Sequence, residues 1–353
     1  MGIMTAFFVK PEASAAMQEF YRRSAQKGLA PLWEVLADLV LTEPQPACVP
    51  VLWQYNEIRQ FVMESGKLIT AEEAERRVMV LENPGLSGSH QITNSLYAGI
   101  QLILPGETAP THRHAPSALR FVIESDGAYT AVDGERTTMH PGDYILTPSR
   151  TFHDHGNPTD APAIWMDGLD IPIVNFFDAG FAERHPDETQ AVTRSEGDAQ
   201  ARYGANLLPV DFEAGSLSSP IFKYPYSRTR EALDRVHRSG PLHPCYGIKM
   251  QFSNPVNGGY PMPTIAAFIQ FLPSGFHGAP YRSTDATVYT VVEGHGRSRV
   301  GETVLEWGKR DIFVVPSWKY VSHEANEDAV LFSFSDRAAQ KALGLWREEK
   351  MGS

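Results

Sequence analysis

The sequence predicts an all-β fold, two jelly-roll barrels in one chain, and three observations carry that prediction. From about residue 78, short alternating runs recur at regular spacing between Gly- and Pro-containing turns, the pattern of small barrels. The run F-V-I-E-S-D-G at 121–127 matches T-V-V-E-G-H-G at 290–296, and D-Y-I-L-T-P-S at 143–149 matches D-I-F-V-V-P-S at 311–317. Both matches sit at an offset of about 168 residues, so one β unit is repeated. Helical patterning is confined to the N-terminal region and to a stretch between the two copies.

In chain order, residues 1–77 read as an N-terminal helical arm. Helices are expected at 12–27 and 32–40, and a third from the N-cap candidate Thr70 through residue 77, where Glu73 completes a capping box. Residues 78–177 form the first barrel and 178–245 a polar, partly helical connector whose clearest helix is 229–238. Residues 246–340 form the second barrel and 341–353 a C-terminal tail. Within the first barrel, Asp133-Gly134 joins two alternating runs as a tight hairpin turn. Tyr97, Gly99 and Gln101 share one face of a strand, and their polarity marks the inside of a barrel that holds something polar.

Composition narrows the function. The chain has 353 residues, 42% hydrophobic and 21% charged, as expected of a globular protein, and a formal net charge of −11. That charge argues against nucleic-acid or anionic-membrane partners. Two cysteines far apart, Cys48 and Cys245, fit a reducing compartment, and no apolar run approaches the roughly 20 residues needed to span a bilayer. The start carries an apolar run without a basic segment or cleavage site, so no signal peptide is expected and a cytoplasmic location follows.

The chemistry concentrates between residues 106 and 157. His112 and His114 are two apart and face one way on a strand, and His153 follows after the His140-Pro141-Gly142-Asp143 turn. Three imidazoles gathered on β-strands point to a metal site rather than to solvated histidines. In the second copy the matching positions are Tyr281, Ser283 and Val321, and the trio Tyr97, Gly99, Gln101 falls on Ile265, Ala267, Ile269. One metal site per chain is expected, with an apolar filling in the second barrel.

The patterns G-x5-H-x-H at 106–114 and G-x5-P-x-x-x-x-H-x3-N at 142–157 resemble the two cupin motifs, in a two-cupin (bicupin) chain. Two departures stand out. The carboxylate ligand usual after the second His is replaced by Ala118 and Leu119, and Arg150 stands where Gly is usual. Three neutral imidazoles leave a divalent metal its full charge and about three open positions, which suits an anionic chelating substrate together with O2.

Longer stretches, H-R-H-A-P-S-A-L-R-F-V-I-E, A-V-D-G-E-R-T-T-M-H-P-G-D and W-M-D-G-L-D-I-P-I-V, resemble the gentisate 1,2-dioxygenase family, which includes salicylate and 1-hydroxy-2-naphthoate dioxygenases. The resemblance implies an Fe(II)-dependent ring-cleaving dioxygenase, with gentisate and O2 giving maleylpyruvate and a homotetrameric assembly. Salicylate or 1-hydroxy-2-naphthoate remains an alternative substrate, and a different metal cupin or a binding protein an alternative class. His112, His114 and His153 would bind iron. Arg120 would pair with the substrate carboxylate, Gln101 would hydrogen-bond it, and His155 and Asp167 would handle protons. Tyr97 and Gly99 would line the pocket, and Arg76 would reach it. Each also has a plain structural reading: an ion pair for Arg120, a satisfied barrel amide for Gln101, a surface histidine for His155, a turn for Asp167 and a solvated helix face for Arg76.

Overall fold

The structure is a computed structural model that describes residues 12–351; the opening stretch read above for a signal peptide and the last two residues lie outside them. The chain divides into two compact units, Met1–Gln45 and Pro46–Ser353. The first holds helices Ala15–Ala25 and Leu32–Leu39. Ser14 opens the first by accepting from the Met17 amide, and Trp33 Nε1 donates to Tyr21 Oη at 2.8 Å, tying the pair.

The second unit is two barrels of antiparallel strands, each a six-stranded sheet facing a five-stranded one. The larger sheet of the first barrel runs Lys223–Tyr224, Tyr144–Thr147, Ala118–Glu124, Ala163–Leu169, Tyr97–Ile103, Val78–Val80. Its smaller sheet runs Ala182–Arg184, Thr108–His114, His153–Gly156, Tyr129–Val132, Glu135–Thr138. The expected hairpin forms at Asp133 and Gly134, both at positive φ (48° and 78°). In the second barrel the larger sheet is Val51–Trp53, Ile312–Val315, Thr287–Glu293, Ala329–Ser335, Ala266–Leu272, Ile248–Gln251, and the smaller one ends on Glu348–Lys350.

These sheets redraw the expected divisions. Val51–Trp53, expected in the arm, pairs with Ile312–Val315 of the second barrel, and Lys223–Tyr224, expected in the connector, pairs with Tyr144 and Ile145 of the first. Each leading strand runs into a helix of 14 residues, Tyr55–Leu68 and Tyr226–Ser239. Tyr55 and Arg59 bond Glu124, and Tyr226 and Arg230 bond Glu293. The Tyr55 amide donates to Asp311 and the Tyr226 amide to Asp143. The repeat therefore begins before each barrel, and each copy lends its first strand to the other copy's sheet. The expected C-terminal tail is likewise the edge strand Glu348–Lys350, paired with Tyr281–Ser283.

The outer faces of the two larger sheets bury one another. Phe121 stacks on Phe332 with ring centroids 4.3 Å apart, and Ile100, Leu119 and Met166 share one core with Ala267, Ile269 and Phe334. A Cβ on Gly168 would meet the Phe334 ring at 2.8 Å, so only glycine allows this approach.

Two further expectations fail. The capping box at Thr70 forms, with Thr70 N and Oγ1 donating to Glu73 and the Glu73 amide donating to Thr70 Oγ1, but it closes isolated turns rather than a helix. Glu75 at φ 57° breaks the turn, and the strand at Val78 follows. The second barrel's interior is also out of register with the sequence alignment. Leu169 pairs with Tyr97 and Ser335 with Ala266, so Tyr97, Gly99 and Gln101 correspond to Ala266, Phe268 and Gln270. A slip of one residue exchanges the two faces of a strand. Ala267 and Ile269 lie in the core between the barrels, and the second interior is mixed: Lys249, Gln270, Tyr281, Tyr289, His323 and Ser333 turn inward beside an apolar cluster that includes Val291, Trp307, Phe313, Val321 and Leu331.

Candidate metal centre and substrate pocket

His112 and His114 stand at the end of strand Thr108–His114, directly beside His153. The ladder between these strands carries one extra residue between Ala109 and His112. That bulge lets Ala109 and both histidines face the interior despite their mixed parity. The three side chains offer nitrogens all within 4.8 Å of one another, the one such cluster among the described residues. His114 Nδ1 lies 2.7 Å from the Pro116 carbonyl and His153 Nδ1 3.0 Å from the Thr151 carbonyl. A carbonyl only accepts, so Nδ1 carries the proton and Nε2 keeps its lone pair for a metal. Burial, reinforced by the neighbouring arginines, drives His112 down to about 3 and His114 to about 4, and His153 well below the usual range. All three are thus neutral ligands across the physiological range. Ala118 and Leu119 are buried in apolar surroundings, so no carboxylate replaces the missing ligand there.

The larger sheet supplies the rest of the pocket in rows. Arg120, Asp167 and Gly99 lie abreast on three neighbouring strands, and Gln101 lies beside Trp165 one row on. Arg120 is 3% exposed; it donates to Thr147 Oγ1 at 2.6 Å, and its Nε stands 3.5 Å from Asp167 Oδ1. Asp167 also accepts from Trp165 Nε1 at 3.0 Å. Burial nevertheless pushes its carboxyl up to about 6, against the pull of Arg120, Trp165 and Arg76. Arg76 leans over the bulge, donating to the Pro110 carbonyl at 2.8 Å, and burial beside Arg120 lowers it to about 9. Tyr97 is half-buried, and its hydroxyl lies 2.9 Å from where a Cβ on Gly99 would sit. His155 is fully buried between His153 and Trp165, at ring separations of 5.8 and 5.2 Å.

Strand pairing and burial therefore bring the sequence-predicted site residues into one cluster inside the first barrel. Four of its polar atoms are buried without a hydrogen-bond partner: both His155 nitrogens, Gln101 Nε2 and Arg120 Nε. Leaving such atoms bare costs roughly 1–3 kcal/mol each, so water or a polar ligand has to complete them. Neutral imidazoles beside arginines and an amide donor fit a divalent metal carrying an anionic chelate.

Sequence reasoning missed Thr147 and Trp165, each two residues along a strand from an inward neighbour and so within reach of the same parity argument. It also missed the strand Ala182–Arg184, which pairs with the ligand strand opposite His112–His114. With Phe181, Arg113 and Arg150 it lines a cavity of about 360 Å³ that opens on His114. That short mixed sequence carries no strand signal. Arg150, out of place in the motif, adopts φ 62°, the conformation that favours glycine, and its amide donates to the His114 carbonyl.

Two jelly rolls, one with a histidine triad that could hold a metal, define a bicupin, and residues 99–171 match the family model described as "Cupin domain". The chain is 56% identical to gentisate 1,2 dioxygenase 1 of Aquipseudomonas alcaligenes over 98% of this chain and 99% of that protein. It is 36% identical to 5-aminosalicylate 1,2-dioxygenase of a Comamonas species, over 92% and 88%. A crystal structure of salicylate 1,2-dioxygenase from Pseudoaminobacter salicylatoxidans with gentisate superposes with a TM-score of 0.91 at 34% identity, covering 98% of this chain and 96% of that one. The chain belongs to the gentisate 1,2-dioxygenase family of ring-cleaving dioxygenases.

Proposed function

We propose that this chain is an Fe(II)-dependent gentisate 1,2-dioxygenase, which joins gentisate and O2 into maleylpyruvate by opening the ring between the carboxyl-bearing carbon and its hydroxylated neighbour. The observation that carries the reading is the all-histidine triad set against buried, unpaired donors. His112, His114 and His153 hold the iron, which when bound supplies the one-electron chemistry that O2 requires.

The chain's own groups bind and orient the substrate. Arg120 and Arg76 receive its carboxylate, with Arg120 Nε and Gln101 Nε2 the donors awaiting a partner. Asp167, held near 6, exists in both protonation states around neutrality and accepts a proton from a ring hydroxyl. His155 is kept neutral by burial and exchanges a proton with a substrate oxygen. Tyr97 meets the second hydroxyl of gentisate, and Gly99 lines the pocket beside it, where a Cβ would collide with Val78 and the Tyr97 hydroxyl.

The test is O2 uptake by anaerobically Fe(II)-loaded protein offered gentisate, salicylate and 1-hydroxy-2-naphthoate in parallel. Uptake with gentisate should be the fastest and should yield the maleylpyruvate chromophore. Changing Tyr97 to Phe should narrow the gap to salicylate by up to roughly tenfold, the worth of one hydrogen bond. No uptake with gentisate at full iron occupancy would overturn the substrate. Faster turnover of salicylate would replace gentisate with the monohydroxylated acid.

A cytoplasmic homotetramer is the assembly we propose. Both cysteines are free and buried, and Leu29, Leu32, Trp33 and Leu39 of the helical arm are exposed, apolar and suited to an interface. Light scattering that gives the mass of one chain would reject it. No helix among the described residues is long and apolar enough to cross a membrane.

A further inference from the structure

Asp170 begins the helix Ile171–Phe176 but does not cap it. An aspartate in that place ordinarily accepts from the first free amides of its helix. Here the carboxylate, 2% exposed, turns to two other partners. Oδ1 accepts from the Ser117 amide at 2.8 Å, and Oδ2 accepts from the hydroxyl of Thr264, which leads into the second barrel.

The Ser117 amide belongs to the same planar peptide unit as the Pro116 carbonyl, and that carbonyl takes the Nδ1 proton of His114. In a trans peptide the N–H and C=O point in opposite directions. Holding the N–H on Asp170 therefore aims the carbonyl at His114. A carboxylate on one end of the peptide also polarises the other, enriching the carbonyl oxygen and, through it, the imidazole.

The second copy has the same device with nothing at its end. Asp336 Oδ1 accepts from the Ala286 amide at 3.2 Å, and Oδ2 accepts from Ser95 of the first half at 2.8 Å. Ser95 and Thr264 correspond, as do Ser117 and Ala286, in the register set by the paired strands. In that copy the residue matching His114 is Ser283, which has no imidazole to aim.

We propose that Asp170 and Thr264 are positioning residues for the metal centre: the second barrel, through Thr264, Asp170 and the 116–117 peptide, orients His114 and raises its strength as a ligand. Two other contacts steady the same turn, Ser149 Oγ donating to the Ala115 carbonyl and the Ala115 amide donating to the Phe181 carbonyl. Neither reaches the 116–117 peptide, so neither substitutes for the aspartate.

The inference rests on the metal reading above, and the mirrored clasp separates it from simple stability. Co(II) affinity by competition with a chromogenic chelator, together with the melting temperature of the metal-free protein, should be measured for Thr264→Val, Asp170→Asn, Ser95→Ala and Asp336→Asn. All four lose a clasp bond. Only Thr264→Val and Asp170→Asn should weaken Co(II), by roughly tenfold or more, as for other outer partners of ligating histidines. Thr264→Ser should restore wild-type affinity. Equal weakening in all four variants, in step with their melting temperatures, would reduce the clasp to a structural tie and overturn the proposal. Unchanged affinity in Thr264→Val would overturn it as well, and that substitution is nearly isosteric should Asp170→Asn fail to fold. Wild-type protein that takes up no Co(II) would overturn the metal reading and this inference together.

Discussion

The two barrels share a skeleton strand for strand and differ in what they enclose. Six strands face five in each, a Tyr–Arg helix clamps a glutamate in each, and an aspartate crosses to the other half in each. Gln101 corresponds to Gln270 and His155 to His323, so even part of the polar lining is retained. The triad is not: its positions carry Tyr281, Ser283 and Val321, and Tyr281 and Tyr289 bond one another where a ligand and Arg120 would stand. The frame, then, is a property of the repeat, while the chemistry rests on a few inward positions. A barrel can lose its metal ligands and keep its fold, because inward side chains and outward core lie on opposite faces of the same strands.

The sharpest way to break this comparison is to damage each barrel in turn. His153→Ala should abolish bound iron and turnover together, by metal analysis and O2 uptake. Leu331→Ala, in the core of the second barrel, should cost about 2–5 kcal/mol of stability and leave iron stoichiometry unchanged. Iron retained in His153→Ala would show that the triad is not the site. Next in size is Arg120→Ala. Removing one partner of a buried charge pair should raise the KM for gentisate on the order of a hundredfold with iron still bound, read from steady-state kinetics beside metal content. Loss of iron with unchanged substrate affinity would give Arg120 a different role.

Acid should also tell the barrels apart. Burial depresses His112 and His114 to about 3 and about 4 and holds His153 and His155 well below the usual imidazole range; the second barrel buries His323, at about 3. A depressed imidazole stays neutral in the fold and takes a proton on unfolding, so its stability is intact above about 6.5 and drains as pH falls toward the folded value. Each such histidine contributes roughly 1.4 kcal/mol per pH unit in that window. Asp167, raised to about 6, works in the opposite sense, as do Asp170 and Glu135, whose carboxyls burial also raises. Hydrogen exchange of the metal-free protein between pH 6.5 and 4 should therefore deprotect Thr108–His114 and His153–Gly156 before Val321–Ala325. Simultaneous loss would mean that the barrels open as one unit.

The smallest effect should be the most symmetric. Glu124→Gln and Glu293→Gln each loosen a helix clamp whose arginine is partly exposed, so each should cost about 1 kcal/mol in denaturant titrations, with activity preserved. A large difference between the two would mean that the repeated frame is not energetically equivalent.

The site was legible in the sequence because strand parity is strict. His112, His114 and Gln101 were oriented by counting in twos, Arg120 and Asp167 entered through the family resemblance, and pairing brings the sheet residues into adjoining rows. What parity cannot supply is register across an insertion. The bulge before His112, and the single residue by which Ala266–Leu272 is displaced from the alignment, are set by ladder hydrogen bonds between distant strands. For the same reason Ile265, Ala267 and Ile269 were misread as the second barrel's filling, when they face the core between the barrels. The turn at Thr70 shows the converse limit: a correct local capping signal has no power over the backbone beyond its own turn, where Glu75 turns and the chain enters a sheet. The edge strands Val51–Trp53, Ala182–Arg184 and Glu348–Lys350 are three residues long, too short for any periodicity to declare itself.

The exchanged leading strands bear on how this chain is made. Val51 pairs with Val314 and Tyr55 bonds Asp311, so the first strand of the unit waits through the synthesis of an entire barrel before its partner exists. Lys223 and Tyr224, by contrast, find their partner strand already made. Reciprocal exchange of this kind is the geometry of a strand-swapped dimer, in which neither copy has a finished sheet alone. The chain carries that dimer inside itself, with the partner tethered at every encounter; cutting it into its two repeats would leave each half a strand short and dependent on finding the other.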